Sequence, residues 1–161
     1  MIGLAYVFCR ISGAGGLGHV GGAFQLPNGN FRCFATENPS GGAWVSWKDK
    51  GFWEIDCQPN QVVDVFRQER VIGGVNIAPY DVYKIKQQNN PNYNNAVNTL
   101  AWCAQQDYII FNPLVPVKAR TCLDDVCDTL SAYGLWMPWT VTFPAPNAWF
   151  NSMVDCQTYN V

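Results

Sequence analysis

The amino-acid sequence predicts one domain that combines β-strands with α-helices. Apolar residues alternate with small or polar ones over residues 19–26, and Pro27, Asn28 and Gly29 follow as a turn, which is typical of a β-hairpin. Apolar residues recur at helical spacing in residues 94–106 and again in residues 122–133. Because no repeat or change of composition marks a second unit, we expect residues 1–161 to form a single domain.

The second helical pattern contains a candidate nucleophile. Thr121 is a predicted N-cap, Asp124 completes a capping box, and Gly134 stands where a helix would end. Cys122 then lies in the first turn, where free N–H groups and the helix dipole favour a thiolate. Asp124 and Asp125 act in the opposite direction, since neighbouring negative charge raises a thiol pKa. A cysteine at this position is either a nucleophile or a packing residue of the core.

The single histidine lies on the first strand of the predicted hairpin. His19 alternates with Gly21 and Ala23, whose small side chains leave room for another group beside the imidazole. The glycine-rich residues 13–18 have the spacing of a dinucleotide-binding fingerprint, but that fingerprint requires a helix after its last glycine. A strand is predicted there instead, so we expect no cofactor. His19 is either the base that activates Cys122 or a structural residue.

The length of the hairpin loop decides which residue lies opposite His19. A three-residue loop with Gly29 in the left-handed conformation pairs Leu26 with Asn30 and places Glu37 opposite the histidine. A two-residue turn would place Asn38 there. Either side chain can accept the imidazole N–H and orient the ring, and we favour Glu37. The alternative is that residues 37–42 are a polar strand exit and loop.

The remaining segments predict the surroundings of these residues. Strands are expected at residues 1–8 and 80–86, and a short helix at residues 61–70. The tryptophan-rich residues 43–57 are expected to form a loop, either as a wall of a substrate cleft or as a cover over the core. The aromatic residues 135–150 are expected to wrap the core or to border the cleft.

Composition restricts the class of protein. The net charge of −2 and the absence of a basic run exclude nucleic acid as the main partner, and no stretch predicts a membrane span. Seven scattered cysteines without a Cys-x-x-Cys pair, and no export signal, predict reduced thiols in a cytoplasmic protein. One histidine and no close ligand pairs predict no metal site.

Together these motifs resemble one enzyme family. A histidine on an early strand (His19), a polar residue after the next strand, and Thr121-Cys122-Leu123-Asp124-Asp125 opening a later helix resemble the circularly permuted NlpC-type papain-like superfamily. That branch includes the lecithin:retinol acyltransferase group. Its members have the histidine before the cysteine, as this chain does. The chain differs from the acyltransferase group in having Thr before the cysteine and no second histidine, so retinoid or phospholipid chemistry is not inferred.

The resemblance implies a fold and a function. The fold would be α+β, with a papain-like core in which the nucleophile helix packs against an antiparallel sheet. Cys122 would be the nucleophile, His19 the general base and acid, and Glu37 the third residue. The expected function is a cysteine-dependent hydrolase, peptidase or amidase-like, that cleaves an amide, peptide or thioester bond of a small-molecule or peptide substrate through a thioester acyl-enzyme.

Three alternatives to a hydrolase remain open. The same site would be an acyltransferase if a nucleophile other than water accepted the acyl group. The fold could also serve as a non-catalytic binding module with an aromatic cleft. A redox-sensing protein using Cys122 and Cys127 is the third alternative, although a disulfide between them would distort the helix.

Overall fold

The computed structural model describes residues 1–38, 44–45, 51–109, 119–140 and 145–161, without the side chains of residues 44, 45, 109 and 119. Its class is α+β, as predicted, with a mostly antiparallel strand arrangement and separate helices. None of the helices in these ranges has the length and apolar character that crossing a bilayer requires. Residues 112–116, whose two prolines predict an irregular connection into the Cys122 helix, lie outside the described residues.

The helices and strands of the described residues are as follows. The strands are β1 (Ile2–Arg10), β2 (His19–Gln25), β3 (Phe31–Thr36), β4 (Trp44–Val45), β5 (Phe52–Cys57), β6 (Arg70–Ile72), β7 (Val75–Ile77), β8 (Val82–Asn89), β9 (Asp107–Ile109), β10 (Ala119–Arg120) and β11 (Thr158–Asn160). The helices are α1 (Val62–Arg67), α2 (Tyr93–Cys103), α3 (Cys122–Tyr133) and α4 (Pro146–Ser152).

A six-stranded antiparallel sheet in the order β11-β8-β1-β2-β3-β5 forms the centre of the fold. Strands β10, β9 and β4 form a smaller sheet, and β6 pairs with β7 as a hairpin. The strands expected near residues 1–8 and 80–86 and the helices expected near residues 61–70 and 94–106 are therefore confirmed, with shifted ends.

The two faces of the large sheet are covered differently. Val20 and Phe24 of β2 point into a core shared with α2, α3 and α4, where Leu130 and Trp149 are fully buried. Ala23, between them in sequence, points to the other face. That face is packed with rings of Phe8, Phe31, Phe66 and Tyr80. The alternation in the sequence thus corresponds to a sheet buried on both sides.

The β2–β3 hairpin has the predicted three-residue loop. Gly29 has φ +88°, a left-handed conformation that suits glycine, and the Leu26 N–H donates to the Asn30 carbonyl at 2.7 Å. Gly21 pairs with Ala35 in the resulting register. Continuing this register by two residues places Glu37, not Asn38, opposite His19.

Helix α3 begins and ends where the sequence predicts. The Thr121 hydroxyl accepts the Asp124 N–H at 3.1 Å, and the Asp124 carboxylate accepts the Thr121 N–H at 2.9 Å, which forms the capping box. Gly134 ends the helix with φ +112°. Cys122 is therefore the first residue of the helix.

One loop prediction was wrong in part. Residues 52–57 form the edge strand β5, which pairs with β3 from Phe31 to Thr36, whereas we expected a loop through all of residues 43–57. Trp53, Ile55 and Cys57 of β5 are half-buried or buried and alternate with the exposed Glu54 and Asp56, so a strand signal is present in this part of the segment. Trp47 lies outside the described residues, so the expected cleft wall has no structural description there.

The aromatic C-terminal segment wraps the core, one of the two expected arrangements. Leu135, Met137 and Trp149 are buried, and the Trp149 indole N–H donates to the Pro138 carbonyl at 2.9 Å. The segment also contains helix α4, which the sequence analysis did not predict. Lys84 of β8 holds the end of this helix by donating to the Phe150 carbonyl at 2.8 Å. Phe143 lies outside the described residues.

Candidate active site

The three predicted site residues meet at one end of the large sheet. His19 is the first residue of β2, Glu37 follows β3, and Cys122 begins α3. The imidazole Nε2 of His19 lies 3.1 Å from Glu37 Oε2, as an ion-pair contact with a poorly aligned N–H direction. The ring also makes a hydrogen-bond contact with Cys122. Since Nε2 faces the carboxylate, Nδ1 is the nitrogen left for the thiol.

Helix α3 positions Cys122 against the sheet. The helix packs across β2 and β3, and its residues Leu123 and Val126 are buried in the core between them. This packing holds the first turn, with the Cys122 thiol and its backbone N–H, beside the start of β2. Cys122 itself is only 4% exposed, so solvent reaches little of the thiol.

The Glu37 carboxylate is surrounded by donors. The Arg10 guanidinium contacts Oε2 at 3.2 Å, the Tyr80 hydroxyl donates to Oε1 at 3.1 Å, and the Trp53 indole N–H approaches Oε1 at 3.5 Å. The Glu37 backbone N–H donates to the Gly51 carbonyl at 2.7 Å. The residue is 2% exposed. A buried carboxylate with this many donors is held in one position facing His19.

The charges of this cluster stabilise the imidazolium. Burial alone would lower the pKa of His19, but the Glu37 carboxylate and the Cys122 thiolate overcome it and raise this pKa to about 10. Burial would likewise raise the pKa of Glu37, yet His19 and Arg10 hold it well below its ordinary range. The cluster is therefore suited to an ionised carboxylate beside a protonated imidazole.

The space beside the small residue Gly21 is occupied by aromatic side chains. A Cβ atom at Gly21 would lie 2.8 Å from the Phe66 ring and 3.0 Å from the Tyr80 hydroxyl oxygen. The group that lies beside the imidazole on this side is therefore an aromatic side chain, with the Tyr80 ring centre 5.8 Å from that of His19. The small residue admits Tyr80, whose hydroxyl then reaches Glu37.

Sequence reasoning missed a second tyrosine at the site. Tyr108 of β9 is 4% exposed, and its side chain is in hydrogen-bond contact with Cys122. Burial, and then the negative charge of a Cys122 thiolate, raise the pKa of Tyr108 well above its ordinary value. Its hydroxyl therefore keeps its proton as a donor beside the thiol. The only signal in the sequence was a short apolar run after helix α2, which predicts a buried strand and no chemistry.

The two acidic residues after Cys122 have partners of their own. Asp124 accepts from both the backbone and the hydroxyl of Thr121. Asp125 is 1% exposed and accepts from Arg120 Nε at 2.7 Å and from the Thr36 hydroxyl at 2.9 Å. Arg120 offsets part of the negative charge that the sequence analysis expected to oppose a thiolate.

The other cysteines are not equivalent to Cys122. All seven are free thiols, and burial raises the pKa of Cys9 to about 12 and that of Cys127 to about 11. Cys33 and Cys57 lie with their sulfur atoms 3.6 Å apart in the aromatic core on the other face of the sheet. Burial also raises the pKa of both. The Cys9 thiol contacts the backbone of His19, whereas Cys122 makes a side-chain contact with the imidazole.

The described residues contain no cluster of three or more His, Cys, Asp or Glu side chains that could hold a metal ion. No family model matches this chain, and neither a curated protein nor a solved structure is significantly similar to it. The geometry of the site is therefore the observation that bears on function.

Proposed function

We propose that this protein is a cysteine-dependent hydrolase of the permuted NlpC-type papain-like arrangement, which cleaves an amide, peptide or thioester bond. The observation that carries the proposal is the position of His19, between the Glu37 carboxylate at 3.1 Å and the thiol of Cys122. A nucleophile, a base and a residue that orients the base are the three roles that such a reaction requires.

The first half of the reaction forms the acyl-enzyme. In the starting state the Cys122 thiol has already passed its proton to His19, so a thiolate lies beside the imidazolium, and this thiolate attacks the substrate carbonyl carbon. The negative charge that develops on the carbonyl oxygen is stabilised by the Cys122 backbone N–H at the helix start and by the Tyr108 hydroxyl. The bond to the leaving amine or thiol then breaks, and the imidazolium gives this group its proton.

The second half releases the product. His19 takes a proton from a water molecule, which attacks the thioester carbon and breaks its bond to the Cys122 sulfur. The thiolate leaves with the proton on the imidazole, so the site returns to its starting state. Glu37 remains ionised throughout, because its pKa lies well below the working range. Its role is to orient the ring and to stabilise the imidazolium.

The first test is the pH dependence of alkylation by iodoacetamide, mapped to each cysteine by mass spectrometry in the native protein. We expect Cys122 to react at about pH 6, where an ordinary thiol of pKa about 8.5 is almost entirely protonated. The half-buried Cys127 and Cys156 are internal controls, since both are more exposed than Cys122. Burial raises the pKa of Cys127 to about 11, so Cys127 should react only at alkaline pH.

The same measurement on His19→Ala separates activation from access. Loss of the reaction at pH 6, with reaction at alkaline pH retained, would support the paired thiol and imidazole and would justify a screen of acyl substrates. If Cys122 shows ordinary thiol behaviour in the unaltered protein, the hydrolase proposal is wrong. The cluster would then be a structural one on a binding protein.

A further inference from the structure

Arg10 shares the Glu37 carboxylate with the histidine. It is the last residue of β1 and pairs with His19 across the β1–β2 ladder. Its Nη1 atom lies 3.2 Å from Glu37 Oε2, the same oxygen that lies 3.1 Å from His19 Nε2. One carboxylate oxygen therefore serves two positive groups, and because these two cations repel each other, the net stabilisation of each is smaller than it would be alone.

The guanidinium is held in place by contacts on two further sides. Arg10 Nε donates to the Pro79 carbonyl at 3.2 Å, and the guanidinium carbon lies 4.6 Å from the centre of the Tyr80 ring. The side chain is only 12% exposed. Since water screens it little, its charge acts on the imidazolium more strongly than a surface arginine would.

We propose that Arg10 is a positioning residue that acts through Glu37 and limits how firmly the carboxylate retains the proton of the His19 imidazolium. This inference rests on the proposed hydrolase, in which His19 must give its proton to the leaving group and later take one from water. A buried carboxylate facing the imidazolium alone would oppose that release. The positive charge of Arg10 offsets part of the negative charge of the carboxylate, and this makes release of the proton from the imidazolium easier.

The other charged and titratable groups around this pair come from several elements. They are Cys9 of β1, Arg70 of β6, Tyr80 and Asp81 before β8, Tyr108 of β9 and Cys122 of α3. Among the described residues, Arg10 and His19 are the cations in direct contact with the Glu37 carboxylate. Replacement of Arg10 therefore tests its effect on the imidazolium, because His19 is then the remaining cation in direct contact with Glu37.

The single histidine of the chain makes the test direct. Its ring protons give one set of imidazole resonances, whose titration by NMR yields the His19 pKa without assignment of other residues. The titration is done in a Cys122→Ser background, which removes the thiolate. We expect Arg10→Gln to raise the His19 pKa by at least about one unit, a tenfold tighter hold on the proton. Glutamine retains a donor for Glu37 but carries no charge.

Two variants serve as controls. Arg10→Lys retains the charge, so the His19 pKa should remain within about half a unit of the background value. Arg32→Gln removes an arginine that pairs with Asp56 at 2.8 Å, toward the other end of β3, and should leave the pKa unchanged. Arg10→Met replaces Arg10→Gln if the latter does not give a folded protein by circular dichroism.

The outcomes separate this inference from the proposed function. An unchanged or lowered His19 pKa in Arg10→Gln would overturn the role of Arg10, as would an equal rise in Arg10→Lys. Neither result depends on the reactivity of Cys122, which is absent from the background used. If the pKa rises as expected but native Cys122 shows no alkylation at pH 6, the electrostatic role of Arg10 stands and the hydrolase proposal is the part that fails.

Discussion

The molecule contains two buried carboxylates near the first turn of α3, and they behave in opposite ways. Glu37 is 2% exposed and Asp125 is 1% exposed, and each contacts an arginine. Yet the pKa of Glu37 lies well below its ordinary range, whereas burial raises the pKa of Asp125 to about 6 despite Arg120 and Thr36. Burial and one arginine do not by themselves decide the ionisation of a carboxylate.

The difference lies in how the positive charge is distributed. Two cations, Arg10 and His19, face Glu37. Arg120 instead divides its charge between Asp125 at 2.7 Å and Asp128 at 2.6 Å. The other donors to Asp125 are neutral, namely the hydroxyl of Thr36 and the thiol of Cys103. The positive charge around Glu37 thus exceeds the charge of the carboxylate, whereas the positive charge around Asp125 falls short of it. We therefore expect the two residues to respond differently to mutation and to pH.

The largest expected effect is on stability. Arg120→Met leaves the buried Asp125 without its cation and should lower the free energy of unfolding by about 3 to 4 kcal/mol, since breaking a buried pair is strongly destabilising. Urea unfolding monitored by tryptophan fluorescence measures this. Arg67→Met is the matched control, because its pair with Asp64 is more than half exposed and should contribute less than about 1 kcal/mol. Equal losses of unfolding free energy in Arg120→Met and Arg67→Met would show that the buried Asp125 depends on its arginine no more than an exposed carboxylate does.

The next effect is the pH dependence of stability. Because the folded-state pKa of Asp125 is raised from 3.8 to about 6, its contribution is largest below pH 4 and is lost as the pH rises through 6. Relative to Asp125→Asn, the unaltered protein should therefore lose about 2 to 3 kcal/mol of unfolding free energy between pH 4 and pH 7. Urea unfolding at four pH values measures the difference.

Glu37→Gln provides the contrast in the same experiment. Because the pKa of Glu37 is lowered, its contribution is present above the unfolded-state pKa of about 4.3 and is lost only at lower pH. As the pH falls from 5 to 4, the stability of the unaltered protein relative to Glu37→Gln should therefore decrease, whereas its stability relative to Asp125→Asn increases. If the unaltered protein instead became more stable relative to Glu37→Gln as the pH fell, the two carboxylates would be alike.

A smaller effect is expected on the thiol. Glu37→Gln removes the charge that stabilises the imidazolium, so alkylation of Cys122 at pH 6 should fall about tenfold, equivalent to about 1.4 kcal/mol. Asp125→Asn should change it by less than about threefold, because Asp125 pairs with Arg120 and not with His19. A greater loss of Cys122 alkylation in Asp125→Asn than in Glu37→Gln would show that Asp125, and not Glu37, supplies the charge that favours the thiolate.

The smallest effect concerns the neutral donor of Asp125. Thr36→Val removes the hydroxyl that donates to Asp125 at 2.9 Å and should cost about 1 kcal/mol of unfolding free energy at pH 7. The cost should decrease at pH 5, where Asp125 is protonated and makes a weaker hydrogen bond. Thermal unfolding at both pH values tests this, and a greater cost at pH 5 would contradict the ionised state of Asp125 at neutral pH.

Local signals explain why part of the site was predictable from the sequence. Gly29 allows a left-handed turn residue, and the length of that turn sets which residue of β3 lies opposite His19. Thr121 and Asp124 likewise fix the start of α3 and the position of Cys122. These features depend on residues a few positions apart, so the sequence pattern contains them.

The groups that surround the carboxylate were not predictable in the same way. Arg10 lies opposite His19 on the preceding strand, whereas Tyr80 and Tyr108 come from segments distant in sequence, and no short motif marks any of the three. Edge strand β5 has a local signal, since Trp53, Ile55 and Cys57 alternate with Glu54 and Asp56. The prediction of a loop followed the tryptophan content of residues 43–57 and missed this short alternation.

The separation of the site residues along the chain has a consequence for protein synthesis. The three charged residues come early in the chain, with Arg10 on β1, His19 on β2 and Glu37 directly after β3. Cys122 begins helix α3, which is translated much later. On the ribosome, the charged part of the site can therefore assemble while the cysteine is still unmade. In the proposed hydrolase, the thiol would meet the imidazole only when α3 docks on the sheet, so the catalytic pair would form at the same time as the core.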